Sequence, residues 1–500
     1  VFKTDSDTEV ILHSYEVWGE ACLDRFIGMF SFALWNPHKG ELFIARDRLG
    51  KKPFYYYHHN SIFAFASEIK ALLTLREVRE NIGINPHSVS DYLSLGYILT
   101  PKTIFTGIKK LPAGHYAIYG IYDARLTLRK YWSLENSLVP GNNSPYNVKI
   151  ENDFADIFNE AVRIRLHSDV PLGAFLSGGI DSSSIVASMS RIRNAKLHTF
   201  CVGFGEESYD ESNYAEIVAR HLNVDLKKRL YNAPTKTELS KLVWHFDEPF
   251  GDNSFIPTYQ MNKLAREYVT VALSGDGSDE VLAGYPTYRA DRFFKVYSDF
   301  PGFFQRWLYL FAKKVFRPSY KKVSWDYKLI RFLSSYGCSK EKAHYWWRVI
   351  FDEDEKKMIM NPDVFRACRG YDPFDTFKGY FNQAYHANFL DRSLFVDIKT
   401  WLQDDILVKV DRMSMANSLE VRSPFLDHRF VEFALKLPES AKINRTNQKI
   451  ILKKCMKKYL PAQTIYRKKS GFNAPSKVGI KSLKGSGLFS GTYHLNPETE

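Results

Sequence analysis

Residues 170–183 read Val-Pro-Leu-Gly-Ala-Phe-Leu-Ser-Gly-Gly-Ile-Asp-Ser-Ser. The apolar run 170–176 predicts a buried strand, Ser177-Gly178-Gly179 a turn, and the residues from Ile180 a helix. A glycine-rich turn at the carboxyl end of a parallel strand is where open α/β sheets bind ligands. Glycines let backbone N–H groups close on phosphate oxygens, and a helix N-terminus adds partial positive charge. Ser177 and Ser182 offer hydroxyl donors, and Asp181 can hold Mg²⁺ against phosphates. No Gly-Lys-Ser/Thr follows and no GxGxxG is present, which excludes the kinase-type and dinucleotide loops. The bland alternative is a Gly-Ser turn that merely caps a helix.

Working outward, Phe154, Ile157, Phe158, Ala161 and Val162 recur at helical spacing before this strand. Residues 197–204 predict a second strand, 213–222 a helix and 268–274 a third strand. This alternation implies a Rossmann-like parallel α/β sheet. The third strand runs into Leu273-Ser274-Gly275-Asp276-Gly277-Ser278-Asp279-Glu280, whose acids and glycines suit a metal–phosphate site. From about residue 285 to 460 the pattern is mainly helical.

The first 132 residues differ. Short β-type runs at 30–35, 41–45, 53–57 and 62–66 follow an amphipathic helix at 8–18, capped near Ser6 or Asp7. That half reads as α+β or mostly β. Residues 137–146, rich in Pro, Gly, Asn and Ser, are the linker candidate.

At 500 residues, 45% hydrophobic and 25% charged, the chain has a folded, globular composition of several domains. No apolar run of about 18 residues occurs, so no membrane span and no membrane partner are expected. Five cysteines without a CxxC exclude a disulfide framework or structural zinc and fit a reducing, cytoplasmic setting. His58 and His59, adjacent on a strand, point to opposite faces and cannot chelate one metal. The net charge of +13 is dispersed and no nucleic-acid-binding motif accompanies it, so anionic small molecules are the expected partners rather than nucleic acid.

The Ser-Gly-Gly-Ile-Asp-Ser loop resembles the pyrophosphate loop of ATP pyrophosphatases. Asp247-Glu248-Pro249, Ser274 to Glu280, Asp411-Arg412-Met413-Ser414-Met415-Ala416 and Glu420 to Asp427 resemble glutamine-hydrolysing asparagine synthetases. So do Ser6-Asp7-Thr8-Glu9-Val10, Ala45 to Pro53 and Phe65-Ala66-Ser67-Glu68, in the family's order. The resemblance implies residues 1–135 as a partial N-terminal-nucleophile-type αββα glutamine amidotransferase domain, truncated at its N-terminus. It implies a linker at 136–148, an ATP-pyrophosphatase synthetase domain at 149–476 with a helical C-terminal part, and a divergent tail at 477–500.

The implied reaction converts aspartate to asparagine through β-aspartyl-AMP, with ATP and Mg²⁺, nitrogen coming from glutamine or ammonia through an internal tunnel. By the same resemblance, Ser177, Gly178, Gly179 and Ser182 hold pyrophosphate, Asp181 and Asp279 hold Mg²⁺, and Ser274 and Gly275 approach AMP. Phe175, Leu176 and Val202 line the adenosine pocket, although ordinary strand core explains them equally well. Asp276, where many members carry Glu, and Lys449 are the catalytic candidates. Lys449, Lys453 and Lys457 are expected on one helix face by their spacing.

Asp7 matches the family's contact to the glutamine amino group. The family's N-terminal Cys nucleophile has no counterpart in these 500 residues, which are therefore not expected to hydrolyse glutamine. The rival reading is a relative that amidates another carboxylate: a sugar acid, a peptide or a β-lactam-forming substrate. A homodimer would be common in the family, although no residue specifies one.

Overall fold

The computed structural model describes residues 2–140, 146–193, 196–206, 210–316 and 325–467. The centre of the linker candidate and the whole tail from 477 lie outside these residues.

The N-terminal part holds seven strands. β1 (Ser31–Asn36), β2 (Glu41–Arg46), β6 (His115–Gly120) and β7 (Leu126–Lys130) form an antiparallel sheet in that order. A second antiparallel sheet runs β4 (Ile62–Ala66), β3 (Tyr55–His59), β5 (Ile108–Lys110). Strand periodicity decides how they pack, because alternate side chains point to opposite faces. On β2, Ile44 joins Phe54, Tyr56 and Leu111 between the two sheets, whereas Phe43 and Ala45 face Ile11 and Tyr15 of the Asp7–Trp18 helix. On β3, Tyr56 points inward while Tyr55 and Tyr57 pack outward against Ile69, Leu72 and Val78. Ser6 caps the helix by accepting from the Thr8 N–H.

β2 ends in a turn held by buried side chains. The Arg46 guanidinium donates to the carbonyls of Lys52 (2.7 Å), Leu111 (2.7 Å) and Gly50 (2.8 Å). The Asp47 carboxylate accepts from the N–H groups of Leu49, Lys51 and Lys52 at 3.0–3.2 Å.

The second part is built on five parallel strands in the order β10 (Asp225–Leu230), β9 (His198–Gly203), β8 (Leu172–Phe175), β11 (Val271–Leu273), β12 (Glu420–Arg422). The expected strands at 170–176 and 268–274 are shorter than predicted. Pro171 has no N–H and instead accepts from Thr270 and Val271, and the Tyr268 N–H still bonds to Ala265 at the end of the preceding helix. The charged edge strand β10 and the three-residue β12, which lies far away in sequence, carried no hydrophobic run to announce them. In the register, Ala174 sits opposite Thr199 on one side and Leu273 on the other, and Leu273 sits opposite Arg422. The loops after β8 and β11 therefore leave the sheet side by side.

From Pro286 onward the described chain is mainly helical, as the pattern predicted. Within these helices His344 is fully buried, its Nδ1 2.7 Å from Asp291 and its Nε2 3.1 Å from Asp397. Asp397 also accepts from Arg348 Nη2 (2.6 Å) and the Tyr288 hydroxyl (2.7 Å), while Trp347 donates to Asp291 at 2.7 Å. Burial works against the imidazolium, but the two carboxylates outweigh it and raise His344 from 6.5 to about 10. The folded state therefore holds a proton that the unfolded state releases above pH 6.5. This contribution to stability is whole below 6.5 and is lost as pH rises through about 10. His344→Gln should melt well below the parent chain at pH 6, and the gap should close as the pH approaches 10. Thermal unfolding of both chains across that range, followed by circular dichroism, checks it. A gap that stays constant with pH would mean the site contributes through packing alone.

Candidate active site

The loop after β8 closes on itself. Ser182 Oγ accepts from the Ser177 N–H (3.1 Å), lies 3.1 Å from Ser177 Oγ, and opens the Ile180–Ile192 helix. Gly178 has φ +72°, and a Cβ there would lie 2.4 Å from the Tyr214 carbonyl carbon. This glycine is demanded by the neighbouring Ser212–Leu222 helix as well as by the turn. At Gly179 the side a Cβ would occupy is open, with nothing nearer than Ser177 Oγ at 3.4 Å.

The loop after β11 lies against the first. A Cβ on Gly275 would stand 2.9 Å from the Ser182 nitrogen, and Ser278 Oγ donates to Asp181 Oδ1 at 2.7 Å. Ser274 donates to Asp276 Oδ2 at 2.7 Å and lies 3.1 Å from Ser423 Oγ, so the residue after β12 supports the loop as well.

The link between these loops comes from far along the chain. Lys449 Nζ lies 2.6 Å from Asp181 Oδ1 and 2.7 Å from Asp279 Oδ1. Lys449 does not continue the helix face of Lys453 and Lys457, which corrects the expectation from spacing. It caps the Ile450–Met456 helix in a left-handed conformation, φ +54°. Gln448 fixes that pose by donating to the carbonyls of Ala283 and Tyr285, both at 2.7 Å. Gly284 makes room for it: a Cβ there would sit 1.9 Å from Asp279 Oδ1 and 2.1 Å from Lys449 Cε. Neither Gln448 nor Gly284 has a role in the sequence reading, and Gly284 gives no signal beyond being a glycine.

The charge states diverge. Burial opposes the Lys449 ammonium, but Asp181 and Asp279 hold it above the usual lysine value. Asp276 moves the other way. Desolvation raises its carboxyl, the charges of Asp279 and Asp181 add to the rise, and the Ser274 hydroxyl and Lys409 only partly offset it.

Phe175 and Leu176 are buried, Phe175 with Phe200 and Leu264, Leu176 in the main core; Val202 is buried on β9. These positions fit the strand-core reading of all three. Asp7 is exposed at the start of its helix and is remote in sequence from both loops. It lines a separate cavity of about 690 Å³ together with Phe30, Phe32, Glu68, Asp411 and Arg412.

A further set of buried polar groups has no role in the sequence reading. Lys110 pairs with Glu248 (2.9 Å), the Thr100 N–H and hydroxyl donate to Asp404 (2.8 and 2.5 Å), and Lys409 pairs with Asp252 (2.5 Å). Asp404 belongs to a π-helical stretch, Ile398–Ile406, a rare form that recurs at functional sites. Arg412 reaches Asp247 (3.2 Å) and the Tyr55 hydroxyl (3.1 Å), and Lys52 pairs with Asp411 (2.9 Å).

Among the described residues no group of three or more metal-ligating side chains converges. Asp181 and Asp279 are hard oxygen donors whose Oδ1 atoms both lie on the Lys449 ammonium. That donor set fits a Mg²⁺ that keeps most of its ligands from phosphate and water.

The sequence matches the asparagine synthase family over residues 153–486 and a glutamine amidotransferase domain over residues 1–132. The chain belongs to the asparagine synthase family. It is 34% identical over 487 residues to asparagine synthetase [glutamine-hydrolyzing] 1 of Bacillus subtilis, covering 96% of this chain and 73% of that protein. It is 32% identical over 492 residues to a putative asparagine synthetase [glutamine-hydrolyzing] of Mycobacterium tuberculosis, covering 96% and 72%. An amidase of Penicillium rubens, chyE, is 25% identical over 518 residues, covering 95% and 74%. Membership brings ATP-dependent amidation as the general reaction and ATP as its substrate.

Gly284→Ala should drive Asp279 and Lys449 apart, because neither the carboxylate nor the lysine stem can vacate the space without breaking their contact. ATP-dependent amidation should fall at least about a hundredfold, the cost of roughly 3 kcal/mol of lost charge stabilisation. Intact far-ultraviolet circular dichroism with near-parental turnover would show that the contact is dispensable.

Proposed function

We propose that this enzyme amidates aspartate to asparagine, forming β-aspartyl-AMP and pyrophosphate and then releasing AMP. The observation that carries the reading is the Lys449 ammonium bridging Asp181 and Asp279 across two strand-end loops, beside a desolvated Asp276.

Hydroxide is a poor leaving group, so a carboxylate must be activated before ammonia can displace anything from it. The β-carboxylate oxygen attacks the α-phosphorus of ATP and the bond to the β-phosphate oxygen breaks. Negative charge builds on the departing pyrophosphate. The hydroxyls of Ser177 and Ser182 and the backbone at Gly178 and Gly179 would receive it, with Ser274 and Gly275 toward the AMP part, a reading supported by the hydroxyls lying 3.1 Å apart in one turn. Asp181 and Asp279 would hold Mg²⁺, which neutralises phosphate charge when bound. Lys449 would offset charge on the α-phosphate as the fifth oxygen bonds. Ammonia then attacks the acyl carbon, AMP leaves, and Asp276 takes the proton from nitrogen. A carboxyl raised by burial is a stronger base once ionised, which suits that step.

Residues 1–135 correspond, in this reading, to the family's glutaminase-type αββα domain, and without its Cys nucleophile these 500 residues take free ammonia. Asp7 binds the glutamine amino group, 136–148 form the linker, and 149–476 the synthetase domain. Ammonia reaches Asp276 along the buried groups around Lys110, Asp404 and Lys409.

With Mg·ATP and ammonium chloride, the purified chain should release pyrophosphate only when aspartate is added and should form asparagine in equal amount. A folded, ATP-binding chain that ignores aspartate but responds to another carboxylate would assign it to that substrate instead. Asp276→Asn should separate the two halves of the reaction. Aspartate-dependent ATP–pyrophosphate exchange should persist within about threefold, while asparagine formation falls about a hundredfold, the range of a positioned proton acceptor. Equal loss of both would place Asp276 in adenylation.

A further inference from the structure

The Gly302–Val315 helix presents two apolar faces. Leu308, Tyr309, Ala312 and Phe316 pack on Phe294, Tyr297 and Leu333, which anchors the helix to the body of the protein. The opposite face is turned outward: Phe303 is 79% exposed, Trp307 55%, Leu310 53%, Phe311 52% and Val315 54%. An ordinary surface scatters such residues singly. Here they continue one another. The rings of Phe300, Phe304, Trp307 and Phe311 form an unbroken row with centroids 5.5–5.8 Å apart.

The charge on this helix has one sign. It carries Arg306, Lys313 and Lys314, all exposed, and the sequence contains no Asp or Glu between Asp299 and Asp326. At 100° per residue, Lys314 falls within the apolar arc, and Arg306 and Lys313 flank one edge of it. A second copy of the chain would set these cations against their own counterparts. A surface of anionic lipid headgroups would neutralise them while the Trp and Phe rings enter the boundary between headgroups and acyl chains.

We propose that the Gly302–Val315 helix is a peripheral docking site for an anionic lipid surface, lying in its plane with Phe303, Trp307 and Phe311 inserted and Arg306, Lys313 and Lys314 on the headgroups. No described helix is long and apolar enough to cross a membrane, and none is needed. The absence of a span led to the expectation of no membrane partner, and a surface-lying helix is the case which that argument does not cover. Docking would concentrate the enzyme at that surface.

The test sediments the full chain with vesicles of phosphatidylcholine alone or with about a quarter phosphatidylglycerol. The bound fraction should be about tenfold higher on the anionic vesicles and should fall with added salt. Trp307→Ser/Phe311→Ser and Lys313→Glu/Lys314→Glu should each lose about tenfold in binding, with melting temperatures unchanged because these side chains are exposed. Equal binding to neutral vesicles, no binding to either, or binding indifferent to both variants would overturn the proposal. Light scattering that shows a dimer abolished by Trp307→Ser/Phe311→Ser, without vesicle binding, would overturn it in favour of a self-association face. None of these readouts depends on the proposed reaction.

Discussion

The Lys449 ammonium holds the site together. Asp181 and Asp279 come from loops almost a hundred residues apart, yet both place Oδ1 within 2.7 Å of its nitrogen. Without that nitrogen two carboxylates would face each other across a narrow gap in a medium that screens poorly. Without them a buried ammonium would lack compensation, and removing one member of such a group commonly costs several kcal/mol. The arrangement is also held by the backbone. A non-glycine residue at φ +54° is uncommon, and it persists where its surroundings over-determine it. Gln448 supplies that restraint through two carbonyls flanking Gly284, the residue whose missing side chain leaves space for the ion pair.

A second constraint acts between the N-terminal sheets and the parallel sheet. The contact is made largely by ions removed from water. Lys51 donates to the Leu426 carbonyl at 2.6 Å, and burial, its largest influence, lowers it from 10.5 to about 7. Lys110–Glu248, Lys52–Asp411 and Lys70–Asp247 join it. Such pairs contribute modest net stability because desolvation consumes most of the attraction, but a mismatched register would strand a charge. The seam therefore specifies how the two parts meet more than how tightly. Arg46 and Asp47 serve the same end by locking the turn that carries Lys51 and Lys52.

What the sequence revealed follows from how locally each feature is encoded. The strand–turn–helix at 172–192 and the acidic loop at 274–280 are continuous in the chain, so their residue types disclosed both loops. In the N-terminal half β1 to β4 fall within about two residues of the expected runs, because β-type residues there are bounded by turn residues, whereas β5, β6 and β7 were not singled out. Features made by contact across the sequence were not legible. Helical spacing grouped Lys449 with Lys453 and Lys457, but the structure puts Lys449 outside the helix, where three distant segments meet. β12 is three residues long and exists because β11 offers it a free edge. His344 looks like any surface-helix histidine until Asp291 and Asp397 close on it from two other helices. That cluster reaches the acidic loop, since Arg348 stacks 4.5 Å from Trp401, which donates to Tyr285, which donates to Glu280 at 2.6 Å.

Within that loop one residue type is driven to two electrostatic states. Asp279 shares the Lys449 ammonium, whereas Asp276, three positions earlier, is desolvated and answered mainly by the Ser274 hydroxyl. Part of the pressure on Asp276 is the charge of Asp279 and Asp181 themselves. The lysine thus bears on Asp276 indirectly, because the two carboxylates it holds are the ones that add to the rise. Pairs of acids pushed apart by their surroundings are how a site keeps charge stabilisation and proton transfer on separate groups. Gly277, in a left-handed turn at φ +89°, makes this separation geometric. It reverses the chain between the two acids, and a Cβ there would strike Leu426 at 2.1 Å, so the packing that fixes the turn also fixes which acid faces the lysine.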